Sequence, residues 1–420
     1  RPRRPAGPCS PCSPPGSATA RPSPAAAPDG GRPGRDRYLD LLRALALVRV
    51  VGYHTFEWAW LTLVFPSMGV MFALAGSLMA RSLERPAPGV LRGRLRRLLP
   101  PLWLFGAVAL GGMFLAGWHP EKGEGSWGWL RVLCWIVPVG TPPYPWHLGS
   151  PDGLLEDGWA SQAAGPLWYL RAYFWFVVLS PLLLRAFRRL PWPTLLAPLG
   201  LTAVLGTGLV EIPGPTGEAV TDFVVYGSCW ILGFAHHDGL LRRIPAYLVP
   251  SLAPVFMALG LWWATGHPGE DGLDLNDIPL AQALWSFGFC ALLLSFAPSW
   301  RELPGRLGRL DKPVTLANNR AVTIYLWHEV AIMATVPMID LLWDVPWLAD
   351  SPGWSALLES ADTALMFLLA WPLIALLVLG FGWAEDLAAG RRVRLWPSGG
   401  GRRRAGRART GALTAPPGGG

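Results

Sequence analysis

The residues best suited to chemistry stand near the start of the apolar part of the chain, in Asp40-Leu-Leu-Arg43-Ala-Leu-Ala-Leu-Val-Arg49-Val-Val-Gly-Tyr-His54. On a helix Arg43 and His54 lie close to three turns apart, so both project from one face, with the imidazole ~16 Å further along the axis. Asp40 sits one turn before Arg43 and can pair with it. A cation at one edge of a membrane and an imidazole well inside it suit a reaction whose two substrates arrive from opposite sides, with His54 as the general base between them. A second reading fits the same spacing: Arg43 snorkels to the headgroups and His54 makes an interhelical hydrogen bond. Arg49 projects ~140° away from His54 and reads as a partner for another helix.

Further along, Arg92-Gly-Arg94-Leu-Arg96-Arg97 opens the third apolar run. Guanidinium groups bind phosphate bidentately, so Arg94 and Arg96 could hold a phosphorylated donor such as coenzyme A. Anchoring to anionic lipid is the alternative. Trp168 falls at the end of a span, where tryptophan anchors an interface or lines a site. Tyr325 and His328 lie one turn apart inside a late span, followed by Glu329. His328 could orient an acceptor or a thioester, or be a buried hydrogen-bonded histidine; His236 and His237 end a span and receive no catalytic role. Neither a Gly-x-Ser-x-Gly nucleophile elbow nor a Walker A sequence occurs.

Positioning these groups requires membrane helices. The chain is 51% hydrophobic and 15% charged, too apolar for a surface that faces water throughout. Runs long enough to cross a bilayer, roughly 20 residues each, occur near 38–56, 65–81, 98–117, 166–184, 192–210, 222–237, 246–265, 279–297, 320–341 and 358–384. The expected fold is all-α, a polytopic membrane protein of about ten transmembrane helices. The Trp-rich stretch 127–140 is too short to span and reads as a re-entrant or interfacial piece.

Charge alternates between the loops. Arg81 to Arg97, Arg185 to Arg189, Arg242 and Arg243, Arg301 to Lys312, and Arg391 to Arg394 mark one side. Acidic residues, among them Glu121, Asp157, Glu218, Asp271, Asp274 and Asp350, mark the other. The positive-inside rule makes the Arg-rich side cytoplasmic and places both termini there. Residues 1–34 and 391–420 read as disordered cytoplasmic tails, the second basic, because neither has an apolar period. The Arg-rich start leads into Pro-rich sequence and not into the apolar core of a signal peptide.

The net charge of +8 is scattered in short clusters between apolar runs, which argues against a nucleic-acid partner. Cys9-x-x-Cys12 has no second ligand pair, so no metal site is expected.

Over residues 35–390 the chain resembles the acyltransferase-3 family of integral membrane acyltransferases. The residues that carry the resemblance are Tyr38-Leu-Asp40-Leu-Leu-Arg43 with its spacing to His54, Met71-Phe-Ala-Leu-Ala75-Gly76-Ser77, Arg94-x-Arg96, Gly165-Pro166-Leu-Trp168-Tyr-Leu170 and Ile324-Tyr325-Leu-Trp327-His328. The resemblance implies acyl-CoA, most often acetyl-CoA, as co-substrate, with no permanently bound cofactor. It implies acceptors among envelope glycans, lipid-linked sugars and small natural products. It also implies that Arg43 and His54 are essential and that Arg94 and Arg96 serve the donor. Where the family often carries Phe-Phe-x-x-Ser-Gly this chain has Ala75, with Ser77 two residues on.

Together these readings make the expected protein a multi-pass O-acyltransferase of a bacterial plasma membrane, in contact with membrane lipid. Direct transfer and a covalent acyl-histidine both fit the sequence. A transporter or flippase of an envelope lipid or glycan is the rival class, against which stand the lack of an internal repeat and of paired broken helices.

Overall fold

The computed structural model describes residues 36–120, 128–149, 157–270, 272–346 and 351–394. Residues 1–35, with Cys9-x-x-Cys12, and residues 395–420 lie outside the described residues, as do Glu121, Asp271, Asp350 and other acidic loop positions, whereas the first four residues of the expected second tail, 391–394, are described.

The described residues are helical, with no sheet among them. The principal helices are α1 (Arg37–Phe56), α2 (Ser67–Ser82), α3 (Ala87–Leu115), α4 (Leu167–Arg189), α5 (Pro191–Gly206), α6 (Gly214–His237), α7 (Leu248–Gly266), α8 (Pro279–Ser295), α9 (Asp311–Asn319), α10 (Ala321–Met333), α11 (Thr335–Trp343), α12 (Pro352–Phe381) and α13 (Trp383–Ala388).

All ten expected spans are helical, but six helices are long and apolar enough to cross a membrane by length and composition: Trp60–Ser82, Ala87–Leu115, Trp159–Arg189, Leu248–Gly266, Ala321–Trp343 and Ser360–Phe381. The other four fall short for visible reasons. α1 carries Arg37, Asp40, Arg43 and Arg49, α6 carries Glu218 and Asp222, and α5 and α8 are 16 and 17 residues long.

Solvation by lipid explains the surface. Leu182, Trp262, Leu368 and Leu376 are exposed along the helices, a cost in water that vanishes where hydrocarbon is the solvent. α7 and α12 are the least buried of the six long helices. At the other extreme lies α10, where every residue from Thr323 to Glu329 is buried.

Two local devices hold the centre. α2 and α6 cross at glycines: a Cβ on Gly76 would come within 2.1 Å of the Trp230 carbonyl oxygen, and one on Gly233 within 2.2 Å of that of Ala73. Small residues permit this backbone approach, and dispersion over the contact stabilises it.

The start of α10 is clamped by charge. Arg320, fully buried, donates to Asp386 Oδ2 and to the Arg394 carbonyl, each at 2.7 Å. Glu385 accepts from the Thr323 amide and hydroxyl, both at 2.6 Å. Burial pushes the Glu385 carboxyl up to about 7, against those two hydrogen bonds and the Arg320 charge.

The short Trp-rich segment folds back onto the bundle. Gly128–Val132 makes one helical turn, and Trp135 is buried against Phe105 with its Nε1 donating to the Pro143 carbonyl. Arg171 on α4 donates to Asp222 on α6 at 2.6 Å and to Thr141, tying this segment to both helices.

Candidate active site

α1 is started by Asp36, whose side chain accepts from the Tyr38 amide. Its buried face, Leu39, Leu42, Leu47, Val50 and Val51, fixes the helix against the core and with it the directions of Arg43 and His54.

Arg43 donates to the Asn318 side chain at 2.8 Å and stands 3.8 Å from Asp40. Asp40 is buried and is held more closely by Arg37, at 2.9 Å. Asn318 in turn donates to the Asp40 carbonyl at 2.7 Å, so Asp40 and Asn318 together orient Arg43.

Arg43 lines a cavity of about 540 Å³ at the Arg-rich end of the bundle. Arg94, Arg97 and Arg391 line it too. Four guanidiniums against the one carboxylate of Glu385 give this space the chemistry to hold an anion. Arg94 is braced by the Leu78 carbonyl and the Ser82 hydroxyl, at 3.1 and 3.0 Å.

Arg96 is exposed and does not line this cavity, whereas Arg97 does. Helical geometry explains the divergence: residues two apart on a helix point ~200° apart, and residues three apart share a face.

Toward the acid-rich end, His54 lines a second cavity of about 350 Å³ with Trp168, Asp222, Asn276 and Gln282. Trp168 stacks against Tyr226 at 5.6 Å between centroids. Arg49 lines this cavity as well, with its guanidinium 4.8 Å over the Tyr53 ring; it serves the same space as His54 although it leaves the helix at a different angle. The Tyr53 hydroxyl donates to Asp274 at 2.7 Å, which pins the turn carrying Asn276 beside α1.

The buried partner of His54 is Glu329. His54 Nδ1 lies 2.7 Å from Glu329 Oε1, with side chains 39% and 11% exposed. An ionised carboxylate only accepts, so Nδ1 carries the proton and Nε2 is left as the basic nitrogen. This is a base held by an acid in one tautomer, the logic of hydrolytic triads without a protein nucleophile.

His328 packs against the pair. Its Nδ1 donates to the Tyr325 carbonyl at 2.6 Å, its ring centroid lies 5.1 Å from that of His54, and its buried Nε2 has no hydrogen-bond partner among the described residues. Ligand atoms of His54, His328 and Glu329 lie within 4.8 Å of one another, a spacing that also admits a transition-metal ion.

Among the described residues Tyr325 is the one that lines both cavities. Its ring rests on Tyr169 at 4.8 Å and on His328 at 5.5 Å.

Sequence reasoning named His328 and Tyr325 but gave Glu329 no role. Its signal was nevertheless present: a carboxylate inside a span needs a partner, and His54 was the unpaired imidazole available. Asn318, Arg97 and Arg391 were missed because their gathering around the Arg43 cavity depends on how α3, α9 and the segment after α13 pack.

A bundle of apolar helices in which a cavity-lining histidine is paired with a buried carboxylate is an integral membrane protein that carries the parts of an acid–base centre. The acyltransferase-3 family model, an acyltransferase domain, matches residues 36–384. The chain belongs to that family, and it is an acyltransferase of the kind that moves groups other than aminoacyl groups. No curated protein and no solved structure matches it.

Proposed function

We propose that the protein is an O-acyltransferase of a bacterial plasma membrane that takes an acyl group, acetyl above all, from cytoplasmic acyl-CoA. It delivers that group to a hydroxyl of an envelope glycan, a lipid-linked sugar or a small natural product. One observation carries the reading: an arginine-lined cavity and a His54-lined cavity share a single residue of wall, Tyr325.

In this reading Arg43, Arg94, Arg97 and Arg391 hold the phosphates of the donor, with the thioester toward Tyr325. The acceptor enters the other cavity and gives its hydroxyl proton to His54 Nε2. Glu329 stabilises the imidazolium as it forms. The alkoxide attacks the acyl carbon directly, the carbon–sulfur bond breaks, and the departing thiolate recovers the proton. The Arg-rich end then faces the cytoplasm, with ten spans and both termini inside, in keeping with the alternation of loop charge.

Purified protein in lipid nanodiscs with radiolabelled acetyl-CoA tests the reading. Donor turnover that disappears in His54→Gln is expected, because glutamine keeps hydrogen-bonding capacity but takes no proton near neutral pH. Absence of any donor turnover, or an active Gln variant, would sink it.

A further inference from the structure

The geometry points to Tyr325 as a catalytic residue, its hydroxyl donating a hydrogen bond to the thioester carbonyl oxygen as that oxygen becomes an oxyanion. The inference rests on the two-cavity reading above and adds a group to it.

A base alone does not complete acyl transfer. Attack on the acyl carbon places negative charge on the carbonyl oxygen, and a fixed donor at that point is commonly the largest single contribution to the rate. The donor must stand where the two substrates meet, which is the wall between the cavities. Tyr325 is the residue of that wall.

Its hydroxyl is also uncommitted: no hydrogen bond is made to it among the described residues. Other phenols nearby differ on one count or the other. Tyr226 lines only the His54 side and is hydrogen-bonded by Gln282 Nε2 at 3.3 Å. Tyr169 and Tyr173 line only the arginine side.

The backbone of Tyr325 is held too. Its carbonyl takes the His328 Nδ1–H at 2.6 Å, its helix is buried on all sides, and its ring is packed between Tyr169 and His328. A donor fixed before the charge develops costs no reorganisation when it does. His328 is thereby a positioning residue, which accounts for its burial one turn beyond the tyrosine.

The step balances without a further reactant. The acceptor O–H proton goes to His54 Nε2, the acceptor oxygen bonds to the acyl carbon, and the carbonyl π pair moves onto oxygen under the Tyr325 O–H. Collapse of that oxyanion breaks the carbon–sulfur bond, and the His54 proton goes to the thiolate. Tyr325 keeps its own proton throughout.

The test follows free-thiol release from acetyl-CoA by the full-length protein in nanodiscs, with coenzyme A affinity measured by titration on the same samples. Tyr325→Phe keeps the ring and removes the donor. Turnover should fall ~10²–10³-fold, while the KM for acetyl-CoA and the Kd for coenzyme A stay within about two-fold, because the lost contact belongs to the transition state. Turnover within about three-fold of wild type would overturn the assignment. So would a loss confined to coenzyme A affinity, which marks a ground-state contact, or a Phe variant that neither binds coenzyme A nor unfolds cooperatively, which marks a packing role. His54→Gln inactive beside a normal Tyr325→Phe would remove Tyr325 and leave the two-cavity reading standing. Wild-type protein without turnover would remove both.

Discussion

Replacing Glu329 by Gln is the sharpest perturbation of the site, because it changes one atom at a contact of 2.7 Å. Two effects add. The carboxylate holds the proton on His54 Nδ1, whereas a glutamine amide can turn its NH₂ toward Nδ1 and leave the proton on Nε2, where no base then remains. In a hydrolytic triad the corresponding change costs about 10⁴ in kcat. The carboxylate also steadies the imidazolium: opposite charges ~4 Å apart at an effective dielectric of ~20 attract by about 4 kcal/mol. At ~1.36 kcal/mol per decade, either effect alone predicts a loss of roughly 10³–10⁴-fold.

The assay is thiol release under saturating acetyl-CoA, with folded yield and thermal unfolding recorded in parallel. The KM for acetyl-CoA should stay constant, since Glu329 lines neither cavity. Glu329→Asp, which keeps the charge and shortens the reach, should recover part of the rate. A Glu329→Gln protein within ten-fold of wild type, in a preparation where His54→Gln is dead, would refute the dyad and leave Glu329 a buried structural acid.

Three further predictions concern other parts of the molecule. Arg94→Gln with Arg97→Gln should raise the KM for acyl-CoA at least ten-fold, and Arg96→Gln should change it less than three-fold; equal effects would return the basic run to lipid anchoring. In a background without native cysteines, Leu273→Cys should react with an impermeant thiol reagent from outside intact cells and Arg309→Cys should not; labelling of both from one side would break the ten-span arrangement. Glu385 has a folded-state pKa raised to about 7 from 4.5, so its contribution is complete at low pH and is lost as pH rises through 7. Wild-type thermal stability should therefore fall between pH 5 and 8, by ~3 kcal/mol at most, and Glu385→Gln should flatten that fall; a variant with the wild-type slope would assign it to another group.

The all-helical fold was legible because membrane spans announce themselves by length and apolarity. Their number was harder to read, since α1 and α6 carry charges that the bundle interior accommodates and α5 and α8 are shorter than a straight crossing requires. Within α1 the period alone placed Arg43 and His54 at different depths of one face. What periodicity cannot supply is contact between distant helices. The pairing of His54 with Glu329 needs α1 and α10 side by side, and the choice of Arg97 over Arg96 depends on which face of α3 looks inward. The alanine at position 75 lines the arginine cavity, so whatever a serine would do there is left to other groups, while Ser77 is engaged with His236 at 3.0 Å.

The partition at Tyr325 has an electrical consequence. Exposed Arg97 and Arg391 stand at one cavity and exposed Asn276 at the other, so each cavity has an edge open to the outside of the bundle through which water can enter. A membrane voltage does not then fall evenly over the thickness of the bilayer. It falls mostly across the thin low-dielectric layer of Tyr325, His328 and Glu329, where an elementary charge carried through the whole drop gains ~2.3 kcal/mol per 100 mV. In the proposed reaction a proton would move from the acceptor to His54 and then to a thiolate across that same layer. An energised membrane would therefore bias the charge movements of each turnover, and in de-energised vesicles that bias would be lost.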